Sequence, residues 1–251
     1  MARPLLKEWL REEPFALTMS AGFFGFFAHA GMFTVLEDEG LLPTRLSGAS
    51  AGALVAGSWA GGLDAASLAK ELLRVQRSDF WDPRPGAGLL RGDLFRAHLA
   101  AIVPAKSFRE CRAPVAVSAY DVLKRRVRVL DEGALAQAIS ASCAVPLMFH
   151  PVRVDGRFLV DGGVADRPGL AGMPASERVL FHHLSSRSPW RRVGSLSMEI
   201  PSRPRMTSVV VDALPRVGPF RLEEGARAFD AARHGMRRAL GRWIEDAVVR
   251  V

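Results

Sequence analysis

Arg45-Leu46-Ser47-Gly48-Ala49-Ser50-Ala51-Gly52-Ala53-Leu54 decides how this 251-residue chain is read, because Gly48-x-Ser50-x-Gly52 falls where an extended segment gives way to a helix-compatible one. Upstream, Leu42 to Ser47 contains Pro43 and favours extended backbone; downstream, Ala51 to Ala60 is small and apolar. A serine between the two must occupy a tight turn with its hydroxyl accessible, as at a nucleophile elbow. Gly48 and Gly52 keep side chains out of that turn and let helix and strand approach closely. Ser50 is therefore the candidate nucleophile, although a Gly/Ala-rich helix start produces the same five-residue pattern by composition alone.

Working outward, Phe15 to Met19 reads as a buried strand ending in the glycine turn Ser20-Ala21-Gly22-Phe23-Phe24-Gly25. A helix follows from about Phe26 to Glu39, closed by Gly40. Strand, turn, helix, strand, turn, helix predicts a parallel sheet flanked by helices. Asp64 is placed to cap a helix running to about Arg77, and Asp93 to Val103 reads as another. Between them, residues 78–92 are rich in Pro and Gly yet carry Phe80, Trp81, Leu89 and Leu90, so they either pack on the core or form a lid. Two alternating runs, 114–121 and 126–130, suggest a hairpin, and 135–144 a helix. Residues 152–161 read as a hairpin turned at Asp155-Gly156 that delivers Asp161 at its end. Strands are predicted near 178–184 and 207–211, irregular surface over 185–206, and a helical region over about 220–250 with Phe229, Met236, Leu240 and Trp243 at helical spacing. Length and pattern suit one domain spanning 1–251.

The composition narrows the partners. The chain is 49% hydrophobic, and 34 basic against 26 acidic residues give a formal charge of +8. Only Lys7, Lys70, Lys106 and Lys124 are lysines, the other cations being arginines. Such a balance suits an anionic partner, nucleic acid or an acidic lipid surface, or records an arginine-rich composition alone, and no nucleic-acid motif accompanies it. Cys111 and Cys143 have neither disulfide nor zinc spacing, so no metal or cofactor is expected. The charged N-terminus lacks a secretory pattern and no long apolar run spans a membrane, which points to a cytoplasmic protein, at most peripheral to a membrane. The oligomeric state is not written in the sequence.

A serine that attacks a carbonyl needs a proton acceptor, donors for the oxyanion and a site that limits water. The amide of Ala51 and those of the Gly22-Phe23-Phe24-Gly25 turn are candidate donors, because successive parallel strands put the two turns side by side. Asp161, followed by Gly162 and Gly163, is the candidate base; an Asp-Gly turn is the plainer reading of the same residues. Phe23, Phe24, Phe26, Phe27 and Phe33 suit either a core or an acyl pocket. A triad in the order Ser50, Asp161, then His182, His183 or His234 is also available, against the apolar setting of the first two histidines. The glycine turn fails as a dinucleotide fingerprint, since Ser20 stands at its first glycine.

Taken together, Gly22-x-x-Gly25, Gly48-Ala-Ser50-Ala-Gly52, Ser140-Ala-Ser-Cys-Ala-Val-Pro146-Leu-Met-Phe149-His-Pro151 and Asp161-Gly162-Gly163-Val164-x-Asp166-x-Pro168 resemble the patatin-like phospholipase family over residues 15–168. The resemblance implies a three-layer α/β/α fold with a mostly parallel central sheet. It implies a Ser/Asp dyad, carried here by Ser50 and Asp161, with an oxyanion hole at the glycine-rich turn. It also implies hydrolysis of acyl esters of phospholipids or neutral lipids without a metal. Ser20, Phe24 and Arg167 depart from the family pattern, where a glycine, often a basic residue, and an asparagine stand. A non-catalytic lipid-binding protein on the same fold is the alternative of a different class.

Overall fold

Nine strands, most of them short apolar runs, join in one sheet. The computed structural model describes residues 4–185 and 199–251. In chain order its elements are α1 (Leu6–Glu12), β1 (Ala16–Met19), α2 (Phe26–Asp38), β2 (Arg45–Ala49), α3 (Ala51–Ala60), α4 (Ala65–Arg74) and β3 (Gly88–Leu90). Then come α5 (Asp93–Ile102), β4 (Val115–Asp121), β5 (Arg126–Leu130), α6 (Leu135–Ser142), β6 (Leu147–Phe149), β7 (Val152–Val154) and β8 (Arg157–Asp161). The chain closes with β9 (Val179–His183), β10 (Met206–Val210), α7 (Glu224–Leu240) and β11 (Val248–Arg250).

Six of these strands run parallel in the order β11-β10-β9-β1-β2-β4, as the alternation of strand and helix requires. Side chains alternate between the two faces. Leu17, Met19, Leu46, Leu180 and Val209 join the main core, which includes residues from all seven helices. On the opposite face Ala16, Val179, Phe181 and Met206 pack with Leu170, Met173 and Ile200. The segment after Asp166 is pinned to that face, where the hydroxyls of Thr18 and Ser47 both donate to the Gly169 carbonyl, at 3.1 and 2.7 Å. The helices meet closely where side chains are small: a Cβ on Gly31 would lie 2.2 Å from the Phe229 carbonyl of α7.

Three strands share the two edges of β4. β5 runs antiparallel to β4 along Val117–Asp121 and fills one edge. The other edge is divided: β2 lies parallel to Val115–Ser118, and β8 lies antiparallel to Ala119–Asp121. β2 and β8 therefore meet end to end, with Ala49 opposite Ser118 and Asp161 opposite Ala119.

Three expectations are corrected. The helical region does not run to about residue 250: α7 stops at Leu240 before Gly241, and Val248–Arg250 form a parallel edge strand against β10. Asp246 and Ala247 turn the chain with φ of 48° and 60°, and the paired valines prefer a strand. Trp243, 55% exposed, is thus not on the helix's packed face. The helix capped by Asp64 ends at Arg74, short of Arg77, although the cap is real, with Asp64 accepting from the Ser67 amide at 2.6 Å. Within residues 78–92, β3 pairs in parallel with β6. Of the segment 185–206, residues 186–198 lie outside the described residues.

Candidate active site

Ser50 stands between Ala49, the last residue of β2, and Ala51, the first of α3. Its backbone has φ 52° and ψ −118°, a conformation that costs a non-glycine residue about 1–3 kcal/mol. The surroundings leave it no alternative. A Cβ on Gly48 would come within 2.5 Å of the Gly52 carbonyl carbon, and one on Gly52 within 2.0 Å of the Met19 carbonyl oxygen. The two glycines thus let α3 start directly against β1 and β2, as their spacing predicts.

A residue that sequence reasoning passed over secures the turn. The Ser50 amide donates to Ser142 Oγ at 2.9 Å, and the Ser142 hydroxyl donates onward to the Ser118 carbonyl at 2.6 Å. Next to it, the Cys143 thiol lies 3.2 Å from the Ser50 carbonyl, which accepts from it. Burial, with the Asp161 charge adding to it, pushes that thiol well above its usual pKa and keeps it a donor. Both residues lie in the Ser140 to Pro146 stretch, whose only sequence signal was its place in the family pattern.

Asp161 is 6% exposed and Ser50 8%. Because β2 and β8 abut on one edge of β4, Ala49, the residue before Ser50, stands at the level of Ser118 and Asp161 at the next level, that of Ala119. Asp161 Oδ1 accepts the Gly163 amide at 2.7 Å, which aims the carboxylate. Gly162 is needed for close packing, since a Cβ there would lie 2.0 Å from the Ser118 carbonyl oxygen. The Ser50 hydroxyl makes no hydrogen bond to a described residue; catalytic contacts of this kind commonly tighten only with substrate. Asp166 holds the loop that follows, accepting from the Ser118 hydroxyl at 2.5 Å and from the amides of Leu170 and Ala171 at 3.1 and 2.9 Å.

The glycine turn lies on the same side. Gly22, Phe23, Ser50 and Ala51 all line one apolar cleft with a cavity volume of about 90 Å³. The amides of Gly22 and Ala51 donate to no described residue and are available to a ligand. Neither Gly22 nor Gly25 has positive φ; a Cβ on either would strike Leu184, at 2.5 and 2.2 Å, so both are glycine for space. Ser20 likewise needs no left-handed backbone, and its hydroxyl accepts the Leu184 amide at 2.9 Å. Phe24, at φ 53°, takes the left-handed position of the turn.

The aromatic cluster divides. Phe23, Phe24 and Phe26 line the cleft, whereas Phe27 and Phe33 are core, 2% and 0% exposed. Phe80 does both, since it is 5% exposed and also lines the cleft, 5.9 Å from the Phe24 ring centroid. Arg167, in place of the family's asparagine, is buried beneath the turn, where its carbonyl accepts the Ala21 amide at 2.7 Å and its guanidinium donates to the Leu184 carbonyl.

The histidines of the triad expectation go elsewhere. His182 is fully buried, its Nδ1 2.8 Å from Nδ1 of His29, whose Nε2 is 2.8 Å from the Ser20 carbonyl. Burial drives His29 down to about 4, the Ser20 carbonyl partly opposing the fall and the charge of Arg167 adding to it. His182 falls well below its ordinary value for the same reason, burial first and then its histidine neighbours. His183 faces the opposite side of the sheet with a pKa of about 4, lowered by burial and then by Arg167, and its Nδ1 has no partner. His234 lies on the outer surface of α7 with Nδ1 at 2.8 Å from the Asp230 carbonyl. None of the three touches Ser50, so the triad is not assembled.

The family model for patatin-like phospholipase matches residues 17–172. This chain belongs to that family. An uncharacterised NTE family protein of Mycobacterium tuberculosis is 34% identical over 154 residues, 60% of this chain and 43% of the relative. An uncharacterised Bacillus subtilis protein, YqhO, is 26% identical over 171 residues, 55% of this chain and 59% of the relative. The chain thus spans less than half the length of the mycobacterial relative it matches. Among solved structures, VipD from Legionella pneumophila aligns over 91% of this chain and 67% of its own with a TM-score of 0.55 at 15% identity, a likeness of fold. Lipid hydrolysis is the activity at the level of the family. No helix among the described residues is long and apolar enough to cross a membrane, and no described cluster of His, Cys, Asp and Glu could hold a metal ion.

Proposed function

We propose that this patatin-like protein is a serine acyl hydrolase that cleaves carboxylic esters of phospholipids or neutral glycerolipids with Ser50 as nucleophile and Asp161 as base. The observation that carries the reading is the end-to-end meeting of β2 and β8 on β4, which brings Asp161 to the end of β2 where the chain turns at Ser50, beside an apolar cleft. The acyl chain occupies the cleft and presents its carbonyl to Ser50. Asp161 takes the hydroxyl proton as Oγ bonds to the carbonyl carbon, and the carbonyl oxygen becomes an oxyanion held by the amides of Gly22, Phe23 and Ala51. Each such donor is worth about 2.7–4 kcal/mol in the transition state. Collapse expels the alcohol with the proton from Asp161, and water then repeats the sequence on the acyl-serine to release the fatty acid. The protein works from the cytoplasm at the surface of its lipid.

Fluorophosphonate labelling with turnover of a soluble ester tests this. Wild type is expected to label on Ser50 and to hydrolyse the ester, and Ser50→Ala to do neither. A wild-type protein that neither labels nor turns over would favour a lipid-binding role on the same fold.

A further inference from the structure

Four of the chain's cations lie around one exposed turn near the proposed site. β4 ends in the turn Val122-Leu123-Lys124-Arg125, which is fixed by Asp121: its Oδ1 accepts the amides of Leu123 and Lys124 at 3.1 and 2.9 Å. Leu123 is 74% exposed at the tip of this rigid turn, and Val122 beside it 40%. Phe158 of β8, 46% exposed, is level with them, its carbonyl accepting the Val122 amide at 3.1 Å. Side chains of this kind standing in water ask for a partner.

Lys124, Arg125, Arg126 and Arg153 surround these apolar groups. Arg126 lies across from Asp121 on the β4–β5 ladder and Arg153 across from Phe158 on the β7–β8 ladder. The two nearby carboxylates are already engaged, Asp121 with Arg157 at 3.1 Å and Asp155 with Arg128 at 2.6 Å. Among the described residues the four cations have no acidic partner. The result is an apolar tip in a ring of uncompensated positive charge.

Its position gives it a use. β4 is parallel to β2, so the turn projects from the same end of the sheet as Ser50. Three residues of strand separate Phe158 from Asp161, so at roughly 3.3 Å per residue the tip stands about 10 Å past the level of the proposed dyad. We propose that this tip is a docking surface for an anionic bilayer. Leu123 and Phe158 enter the interfacial region, and Lys124, Arg125, Arg126 and Arg153 contact lipid phosphates. The charge ring selects an anionic surface, and the exposed leucine and phenylalanine favour one with an apolar interior. As a substrate-delivery device the surface rests on the hydrolase reading; as a binding surface it is tested apart from it.

The experiment measures sedimentation of the whole chain with phosphatidylcholine vesicles, with and without phosphatidylglycerol, alongside turnover of p-nitrophenyl butyrate. Wild type is expected to bind the phosphatidylglycerol vesicles far more tightly, and less so as salt is raised. In Lys124→Glu/Arg125→Glu that affinity falls roughly a hundredfold, and in Leu123→Ser about tenfold, while soluble-ester turnover stays at the wild-type rate in both. Equal wild-type binding to the two vesicle types would overturn the proposal. So would vesicle binding that survives the double charge reversal, or retention on heparin or on an acidic protein without any vesicle binding. If vesicle binding follows the expected pattern but wild type cleaves no ester, the docking surface stands and the hydrolase reading falls.

Discussion

Two groups of buried polar side chains sit at the carboxyl ends of the parallel strands, and they are built to opposite ends. Around Ser50 and Asp161, neighbouring polar atoms such as Ser142 are satisfied, whereas the Ser50 hydroxyl and the amides of Gly22 and Ala51, on the residues that line the cleft, have no partner among the described residues. Around His29 and His182, two strands away, both His29 nitrogens are engaged and the pair is sealed at 0% exposure. His182 Nε2 has no partner among the described residues, yet it is closed off from solvent. A buried polar group therefore points to chemistry when its free valence opens into a space, and to architecture when it is closed over.

The sharpest break in this contrast is Asp161→Asn against His182→Asn. Loss of the proposed base is expected to cut ester turnover at least a thousandfold with the melting temperature nearly unchanged. The histidine variant is expected to melt lower and to keep the activity of the molecules that remain folded. A histidine variant that folds normally but has lost turnover would return the triad to consideration.

Next in size is acid sensitivity. His29 is held near 4 in the fold and titrates near 6.5 when unfolded. The unfolded chain thus binds the extra proton first, so stability is full above about pH 6.5 and is lost as pH falls toward 4. Between pH 7 and pH 5 the fold is expected to lose about 2 kcal/mol through this histidine alone. Denaturant midpoints at the two pH values check it, and a slope unchanged in His29→Gln would locate the effect elsewhere.

The smallest effect sharpens the contrast from the catalytic side. Ser142→Ala leaves the Ser50 amide and the Ser118 carbonyl without their shared hydroxyl, and is expected to cost about 1–2 kcal/mol of stability. Turnover is expected to fall roughly tenfold, mostly in kcat, as the elbow loosens. An unchanged kcat would mean that the glycines alone hold the turn.

Much of the fold and the site is legible in the residues. The elbow, the glycine turn, the Asp64 cap and the hairpin ending at Asp161 each announce themselves through local chemistry, and alternation of strand and helix foretells the parallel sheet. The elements that sequence hides depend on distant partners. β3 and β6 have three residues each and acquire strand geometry from one another and, for β3, from a bridge between Leu90 and Pro83. β11 is hidden because Arg242 to Val251 lack turn residues with a strong signature, the reversal being made by Asp246 and Ala247. Ser142 looks like any helical serine until the register of β2 and β4 brings Ser50 beneath it. The histidines mislead for the complementary reason: chain order makes a triad available, and only the fold removes it, burying His182 against α2, turning His183 to the opposite face and leaving His234 on the outer surface of α7.

β2 and β8 pair with β4 and not with each other; each is measured off against the same ruler, the backbone of β4. Volume-conserving exchanges among the core residues leave that ruler intact, so the spacing of Ser50 and Asp161 is robust to them. One residue inserted or deleted between Ser118 and Ala119 would shift one strand against the other by about 3.3 Å and turn its side chains to the opposite face. Lineages of this fold are therefore free to drift in composition while the count of residues along β4 stays frozen.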